Sequence, residues 1–301
     1  MAQALAPSSS RTAIPEIDYR SDLSPAAFRQ EYVEANKPVI LKGAVPEWRN
    51  RWTPDLLKEK FGDRLILAER DELYQNQKTR MHIRVDELID TILSGSLKFR
   101  VRASPAAFLA QCPELQADLD RHEFKSRYFP EKVKTLSNFW ISPTTNTSVM
   151  HHDTFFENLN AMIFGRKNFI FIPPAMTHRI YPHFMNESPV NPLAPDMEKF
   201  PKFAGVELQQ GTIEAGDILY IPQFWWHFTT ALEPCINLNI WTKASRSSVR
   251  RVTRTMPLSS RLTYTVLYND KLYDWFMQNM RSIHKAYSGL LPKKKPAPAM
   301  G

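Results

Sequence analysis

From Asn138 onward the chain breaks into short apolar runs separated by Pro, Asn and Gly. Residues 138–142, 158–164, 168–172, 205–209, 217–221 and 235–241 are each rich in Ile, Phe, Leu, Val or Trp. Short strands at such spacing predict an antiparallel barrel or a double-sheet sandwich. Ahead of them, residues 24–35, 52–61 and 84–93 place apolar positions at helical spacing, and 104–129 reads as a further helical stretch. Residues 37–43 read as a buried strand closed by Gly43, so this half is a mixed α/β lead-in. Helical spacing returns at 247–255, 258–267 and 273–287, before the Lys293 to Lys295 run. Residues 1–16, rich in Ala, Ser and Pro, predict a disordered leader. The expected organisation is that leader, one domain over 17–243 with its barrel core at about 138–243, and a basic helical segment and tail over 244–301.

Composition narrows the class. With 301 residues, 43% of them hydrophobic, the chain can bury a substantial core. Two cysteines, Cys112 and Cys235, are too few for a disulfide framework and lack the paired spacing of a zinc site, so a reducing compartment is expected. No apolar stretch nears the roughly 20 residues of a membrane span, which predicts a soluble protein of the cytoplasm, or of the nucleus in a eukaryote, with no membrane partner. The net charge of +8 is unevenly placed. From Lys243 onward there are 12 basic and two acidic residues, leaving 27 against 29 in residues 1–242. That asymmetry concerns partners rather than fold.

Candidate chemistry centres on three residues. His151 and Asp153 are two apart, so on a strand both side chains leave one face and can take adjacent positions on one metal. His227 follows the strand at 217–221 and an aromatic turn at 222–226, and supplies a third ligand if that strand joins the same barrel. Two histidines and one carboxylate with three open positions is the arrangement of non-haem Fe(II) oxygenases. A lone His-x-Asp also arises by chance, and on these residues alone a structural role stays open. His178 and His183 lie in a polar, proline-bearing linker and read as surface residues. Phe155, Phe156, Phe224, Trp225 and Trp226 suit a pocket lining or a core, with Trp226 read as barrel wall. No nucleophile elbow or glycine-rich phosphate cradle supports a hydrolase or a kinase.

Gly216-Asp217-Ile218-Leu219-Tyr220-Ile221-Pro222, followed by His227, resembles the second motif of the cupin superfamily. Val149-Met150-His151-His152-Asp153 through Gly165-Arg166-Lys167 and Phe171-Ile172-Pro173-Pro174 resembles the core of JmjC/cupin-like 2-oxoglutarate hydroxylases. Pro38 to Gly43, the insert Pro195 to Pro201 and Trp225-Trp226-His227 share that likeness, which covers roughly residues 17–243. Within the family the chain is similar to the asparaginyl hydroxylase that inhibits hypoxia-inducible factor and to the tRNA wybutosine hydroxylase. The resemblance implies a mainly β fold with α elements: a double-stranded β-helix (jelly-roll, cupin, JmjC-like) core with an N-terminal α/β lead-in and C-terminal helices. It implies Fe(II) held by His151, Asp153 and His227, 2-oxoglutarate as cosubstrate, O2 as oxidant, and hydroxylation of a protein side chain or tRNA base with release of succinate and CO2. Lys167 would pair with the distal carboxylate of 2-oxoglutarate, and Ser148 stands where relatives place a threonine hydroxyl on that carboxylate. Asn158 and Asn239 stand where relatives place amides near the metal-bound end of the cosubstrate.

One spacing departs from the resemblance. The asparagine after the ligand aspartate is four residues on in those relatives, whereas Asp153 and Asn158 are five apart. Either a bulge or loop between Thr154 and Glu157 absorbs the extra residue, with His152 a spacer turned from the metal, or a gapless register puts His152 and Thr154 at the ligand positions and the barrel is inert. The first is expected; heat-shock-protein-associated JmjC relatives share the longer spacing. The alternatives to the hydroxylase are a cupin metalloenzyme that does not use 2-oxoglutarate and a non-catalytic barrel binding RNA or protein. The basic C-terminal segment, with Tyr264, Tyr268, Tyr273, Trp275 and Phe276 interleaved, suits RNA contact. Leu258, Leu262, Val266, Leu267, Phe276, Met277 and Met280 suit a homodimer interface through C-terminal helices, the preferred expectation.

Overall fold

The computed structural model describes residues 13–71, 78–95, 100–103, 108, 111–121, 128, 135–183, 186–258, 260–261 and 264. In chain order the strands are β1 (Asp18–Arg20), β2 (Val39–Leu41), β3 (Leu65–Asp71), β4 (Lys78–Arg84), β5 (Arg100–Ala103), β6 (Thr135–Ser142) and β7 (Met150–His151). They continue with β8 (Phe156–Phe164), β9 (Arg166–Ile172), β10 (Glu187–Ser188), β11 (Gln209–Glu214), β12 (Ile218–Ile221), β13 (Trp226–Ala231) and β14 (Cys235–Lys243). A six-stranded sheet runs β1-β2-β12-β8-β14-β6, a five-stranded sheet β10-β7-β13-β9-β11, and a small third sheet β4-β3-β5.

The two large sheets face each other as a jelly roll. Ile40, Met162, Leu219 and Ile221 from the first meet Phe169, Phe171 and Ile213 from the second in one buried cluster. Alternation along each strand sets the layers. In β9, Phe169 and Phe171 point into the barrel while Ile170 and Ile172 point outward onto Met150, Trp226, Phe228 and the insert residues Ile180, Val190, Phe200 and Phe203. The outer face of the six-stranded sheet, through Phe139, Leu159, Tyr220, Leu238 and Ile240, packs on Phe28, Tyr32, Trp48, Leu57, Phe61, Leu88 and Ile89 of the lead-in. Two lead-in helices start where the sequence caps them. Ser24 accepts the Ala27 N–H ahead of the helix Pro25–Phe28, and Thr53 accepts the Leu56 N–H ahead of Pro54–Phe61, each with proline at the first helical position.

Two tight turns matter to the site. Gly165, at φ +76°, joins β8 to β9; a Cβ there would collide with the Pro234 carbonyl oxygen and Cys235, so only glycine fits two residues before Lys167. Buried Asp217 follows Gly216 and accepts from the Gly43 and Glu214 N–H groups and from Lys42 Nζ at 2.7 Å. Its carboxylate thereby ties the β11–β12 turn to the end of β2.

The structure departs from the sequence reading at definite places. Residues 205–209 are not a strand: a 3₁₀ turn Pro201–Phe203 precedes them and β11 begins at Gln209. The aromatic turn before His227 ends at Trp225, and Trp226 opens β13. The sheet β4-β3-β5 was not anticipated, and the helix expected over 104–129 is described as Pro113–Arg121. Pro15, at the end of the stretch read as leader, and Ile17 just beyond it bond to Gln210 on β11. Past the barrel a helix Arg246–Thr253 is followed by helical backbone at Leu258, Ser260, Arg261 and Tyr264. Leu258 is exposed; Leu262, Val266, Leu267, Tyr268, Tyr273, Trp275, Phe276, Met277, Met280 and Lys293 to Lys295 lie outside the described residues, and so do residues 1–12. No helix among the described residues is long and apolar enough to cross a membrane.

One buried acid lies on the outer face of β8. Tyr220 Oη donates to Glu157 Oε1 at 3.3 Å, and burial pushes the Glu157 carboxyl up to about 7 against the pull of that hydroxyl, Arg29 and Arg251. Below pH 4.5 the acid is protonated in both folded and unfolded chains; between 4.5 and about 7 only the unfolded chain releases the proton, so stability falls across that window. By pH 8 the loss amounts to about 3 kcal/mol. Glu157→Gln is expected to be more stable than the parent chain at pH 8 and nearly equal at pH 4.5, as read from urea midpoints at the two pH values.

Candidate metal centre

His151 ends β7 and His227 is the second residue of β13, and the two are direct partners across the antiparallel pair. Opposed residues share a face, and their ring centroids lie 4.3 Å apart. Asp153 follows two residues after His151, with Oδ2 3.9 Å from His227 Nε2. One donor atom from each of His151, Asp153 and His227 lies within 4.8 Å of the others, the single such group among the described residues.

The backbone sets which ring nitrogen faces inward. His151 Nδ1 is 2.9 Å from the Val149 carbonyl oxygen and His227 Nδ1 is 3.0 Å from that of Trp225. A carbonyl only accepts, so both Nδ1 atoms carry the proton and both Nε2 lone pairs are available to a metal. Burial pushes the Asp153 carboxyl up, while His227, the Asn158 amide and the Trp241 indole pull it back. A buried carboxylate beside two imidazole lone pairs gains most from a cation, so this donor set fits a divalent metal.

The longer spacing is absorbed in a turn. Phe156 N–H donates to the Asp153 carbonyl at 3.0 Å, and Thr154 takes φ +53°. Asn158 then returns to Asp153, its Nδ2 donating to Oδ2 at 2.8 Å. His152 points away from the three donors, its ring against Trp226 and Tyr264, so the gapless pair His152 and Thr154 does not converge with His227. His178 is exposed and bonds to the Ala175 carbonyl, and His183 is an exposed bridge partner of Glu187; neither joins the cluster.

The barrel interior beside this cluster is polar. Lys167 on β9 is buried, and its Nζ donates to Asn237 Oδ1 at 2.6 Å. Asn237 Nδ2 donates in turn to Asn160 Oδ1 at 3.0 Å. Ser148 Oγ accepts the Thr229 N–H at 2.9 Å, two residues beyond His227 on β13. Asn239 Oδ1 accepts from Trp140 Nε1 at 2.8 Å. Asn138, the strand partner of Asn239, has a buried Nδ2 and Asn158 a buried Oδ1 with no hydrogen-bond partner. Such orphaned atoms suit a ligand bearing oxygens of its own.

Asn160, Asn237, Asn138 and Trp140 escaped the sequence reading. A signal was present: Asn158-Leu159-Asn160 and Asn237-Leu238-Asn239 put amides at every second position of otherwise apolar strands, which aims them at one face. Of the aromatic residues considered for a pocket, Trp226 donates Nε1 to Thr177 Oγ1 on the outer side, and Phe155 and Phe224 pack together away from the interior. Trp225 packs inside the barrel against Phe171, and Phe156 stacks on Trp241.

Comparison with known proteins agrees with this arrangement. The profile of the cupin-like domain family matches residues 25–248. The chain is 27% identical over 239 residues to Lysine-specific demethylase 8 of Xenopus tropicalis, covering 77% of this chain and 53% of that protein. It is 23% identical over 269 residues to the Bifunctional peptidase and (3S)-lysyl hydroxylase JMJD7 of Homo sapiens, covering 76% of this chain and 84% of that one. Against the HSPB1-associated protein 1 homolog of Danio rerio it is 29% identical over 135 residues, 42% of this chain and 30% of the relative. The chain spans about half the length of the demethylase 8 relatives it matches. Because the family profile spans most of the chain and takes in β2 to β14 and all three converging donors, this protein belongs to the cupin-like (JmjC) domain family.

Proposed function

We propose that this chain is an Fe(II)- and 2-oxoglutarate-dependent oxygenase that hydroxylates a C–H bond of a protein side chain. The observation that carries the reading is the convergence of His151 Nε2, His227 Nε2 and the Asp153 carboxylate, with Lys167 buried in the same barrel. Iron and 2-oxoglutarate together supply oxidative hydroxylation by O2 coupled to decarboxylation, and the protein supplies position, charge and dryness. A protein target is favoured over a tRNA base because one relative is named for lysyl hydroxylation and another for lysine demethylation.

In this reading His151, His227 and Asp153 hold the metal, and Asn158 keeps the Asp153 carboxylate turned toward it. Lys167, already steered by Asn237 and Asn160, pairs with the distal carboxylate of 2-oxoglutarate, where low dielectric strengthens the contact. Ser148 keeps its hydroxyl proton for that same carboxylate, because its oxygen already accepts the Thr229 N–H. Asn239 lines the metal-bound end. The apolar half of the interior, with Phe169, Phe171 and Ile213, excludes bulk water.

Anaerobic titration with Fe(II) and 2-oxoglutarate is expected to develop a metal-to-ligand charge-transfer band, and aerobic turnover to release succinate. His151→Ala, Asp153→Ala and His227→Ala are each expected to lose the band and the succinate. A parent chain that develops neither overturns the reading. Lys167→Ala is expected to retain Fe(II) binding while the KM for 2-oxoglutarate rises about 10- to 100-fold, the value of a lost charge-assisted contact. An unchanged KM would remove Lys167 from the cosubstrate site.

A further inference from the structure

The segment carrying two of the three metal-side residues is held by short backbone contacts: β10 pairs with it at Met150 and His151, Ser148 N–H reaches the Thr229 carbonyl, and His152 N–H the Asn186 carbonyl. β7 is two residues long and pairs with β13 only at His151 and His227. Just beyond it, Thr154 sits at φ +53°, a conformation that a β-branched residue resists unless its surroundings enforce it.

The enforcement comes from His152, the residue between His151 and Asp153. The residue is 1% exposed, and its ring meets Trp226 edge-on with centroids 4.5 Å apart. It also lies against Phe224 and Tyr264, at 5.6 and 5.5 Å. Thr154 N–H donates to His152 Nδ1 at 2.9 Å. Because a backbone N–H can only donate, His152 is the tautomer with its proton on Nε2, and that proton goes to Tyr264 Oη at 2.9 Å.

Tyr264 belongs to the chain beyond the barrel. It is buried with Phe155, Phe224, Ala244, Val249, Val252 and Met256, which joins the helix Arg246–Thr253 to the metal-side turn. Burial pushes its phenol up, so the hydroxyl stays neutral as a partner for His152. This cluster touches the chain next to every metal-side residue. His152 lies between two of them, Phe155 follows Asp153, and Phe224 and Trp226 precede His227.

We propose that Tyr264 is a positioning residue for the metal centre, its hydroxyl fixing His152 and His152 fixing the directions in which His151 and Asp153 leave the backbone. The inference rests on the metal-binding reading above. It makes the segment after the barrel a working part of the site, through a contact 112 residues away in sequence.

The test is titration of the full-length, metal-free protein with Co(II), followed by the d–d absorption of the bound ion. Tyr264→Phe keeps the ring but strands the His152 Nε2–H. The dissociation constant is expected to rise about tenfold with an altered band, the usual scale for losing an outer support of a metal ligand, and metal-free melting to fall no more than in Val249→Ala. Val249→Ala is the control: it hollows the same cluster without touching His152, and is expected to lower the melting temperature while leaving Co(II) affinity within about twofold. Tyr264→Phe binding like the parent chain, or Val249→Ala weakening binding equally, would overturn the proposal. If the parent chain takes up no Co(II), the metal reading fails and this inference falls with it, an outcome distinct from normal uptake with an indifferent Tyr264→Phe.

Discussion

The pairing of His151 with His227 across β7 and β13 is the contact on which the rest of the site depends. Strand side chains alternate faces, so a one-residue slip of either partner would send one imidazole to the outer surface. The two strands are unequally held. β13 is paired with β9 from Trp226 to Ala231, a ladder of six residues, whereas β7 meets β13 at one position and β10 at two. His227 is therefore anchored within a long ladder, and His151 by single pairings on either side together with the side chains packed around it. The carbonyls of Val149 and Trp225 then set both rings with Nε2 inward.

Around that pair the interior is divided. Ile40, Phe169, Phe171, Ile213, Leu219 and Ile221 fill one region with apolar side chains, and amides, a lysine and indole N–H groups fill the other. Buried amides cost free energy unless each finds a partner, and here they are tied in short chains such as Lys167 to Asn237 to Asn160. The atoms left over, Asn158 Oδ1 and Asn138 Nδ2, belong to the polar region. Stability of the shell thus comes from one set of inward positions and ligand recognition from another, on the same strands.

Outside the barrel, the lead-in and the C-terminal segment do different work. The lead-in covers the six-stranded sheet with a large apolar cluster and contributes Ile40 of β2 to the interior. The chain after β14 packs instead behind the metal-side turn, through Val249, Val252 and Tyr264 against Phe155 and Phe224. The three-stranded sheet joins the lead-in core through Ile66 of β3 and Ile83 of β4, and its strands were hard to foresee for a physical reason. β3 reads Leu-Ile-Leu-Ala-Glu-Arg-Asp, with no apolar and polar alternation along it. β13 was hidden in another way, since Trp226, His227 and Phe228 are all buried and offer no alternation to detect.

Local chemistry determined much of this protein from sequence alone. Short runs of Ile, Phe, Leu, Val and Trp located β2, β6, β8, β9, β12 and β14, a Ser-Pro start at Ser24 marked the first lead-in helix, and a His-x-Asp pair announced two donors on one face. Those features act within a few residues, where backbone geometry leaves few choices. Contacts between distant residues decided the remainder. No local rule places His227 opposite His151, brings Asn158 back to Asp153 across the four residues between them, or sends His152 to Tyr264 rather than toward the metal side. Each of those depends on sheet register and on packing from both ends of the chain, which arise only when the whole barrel closes and every buried polar group must find its partner.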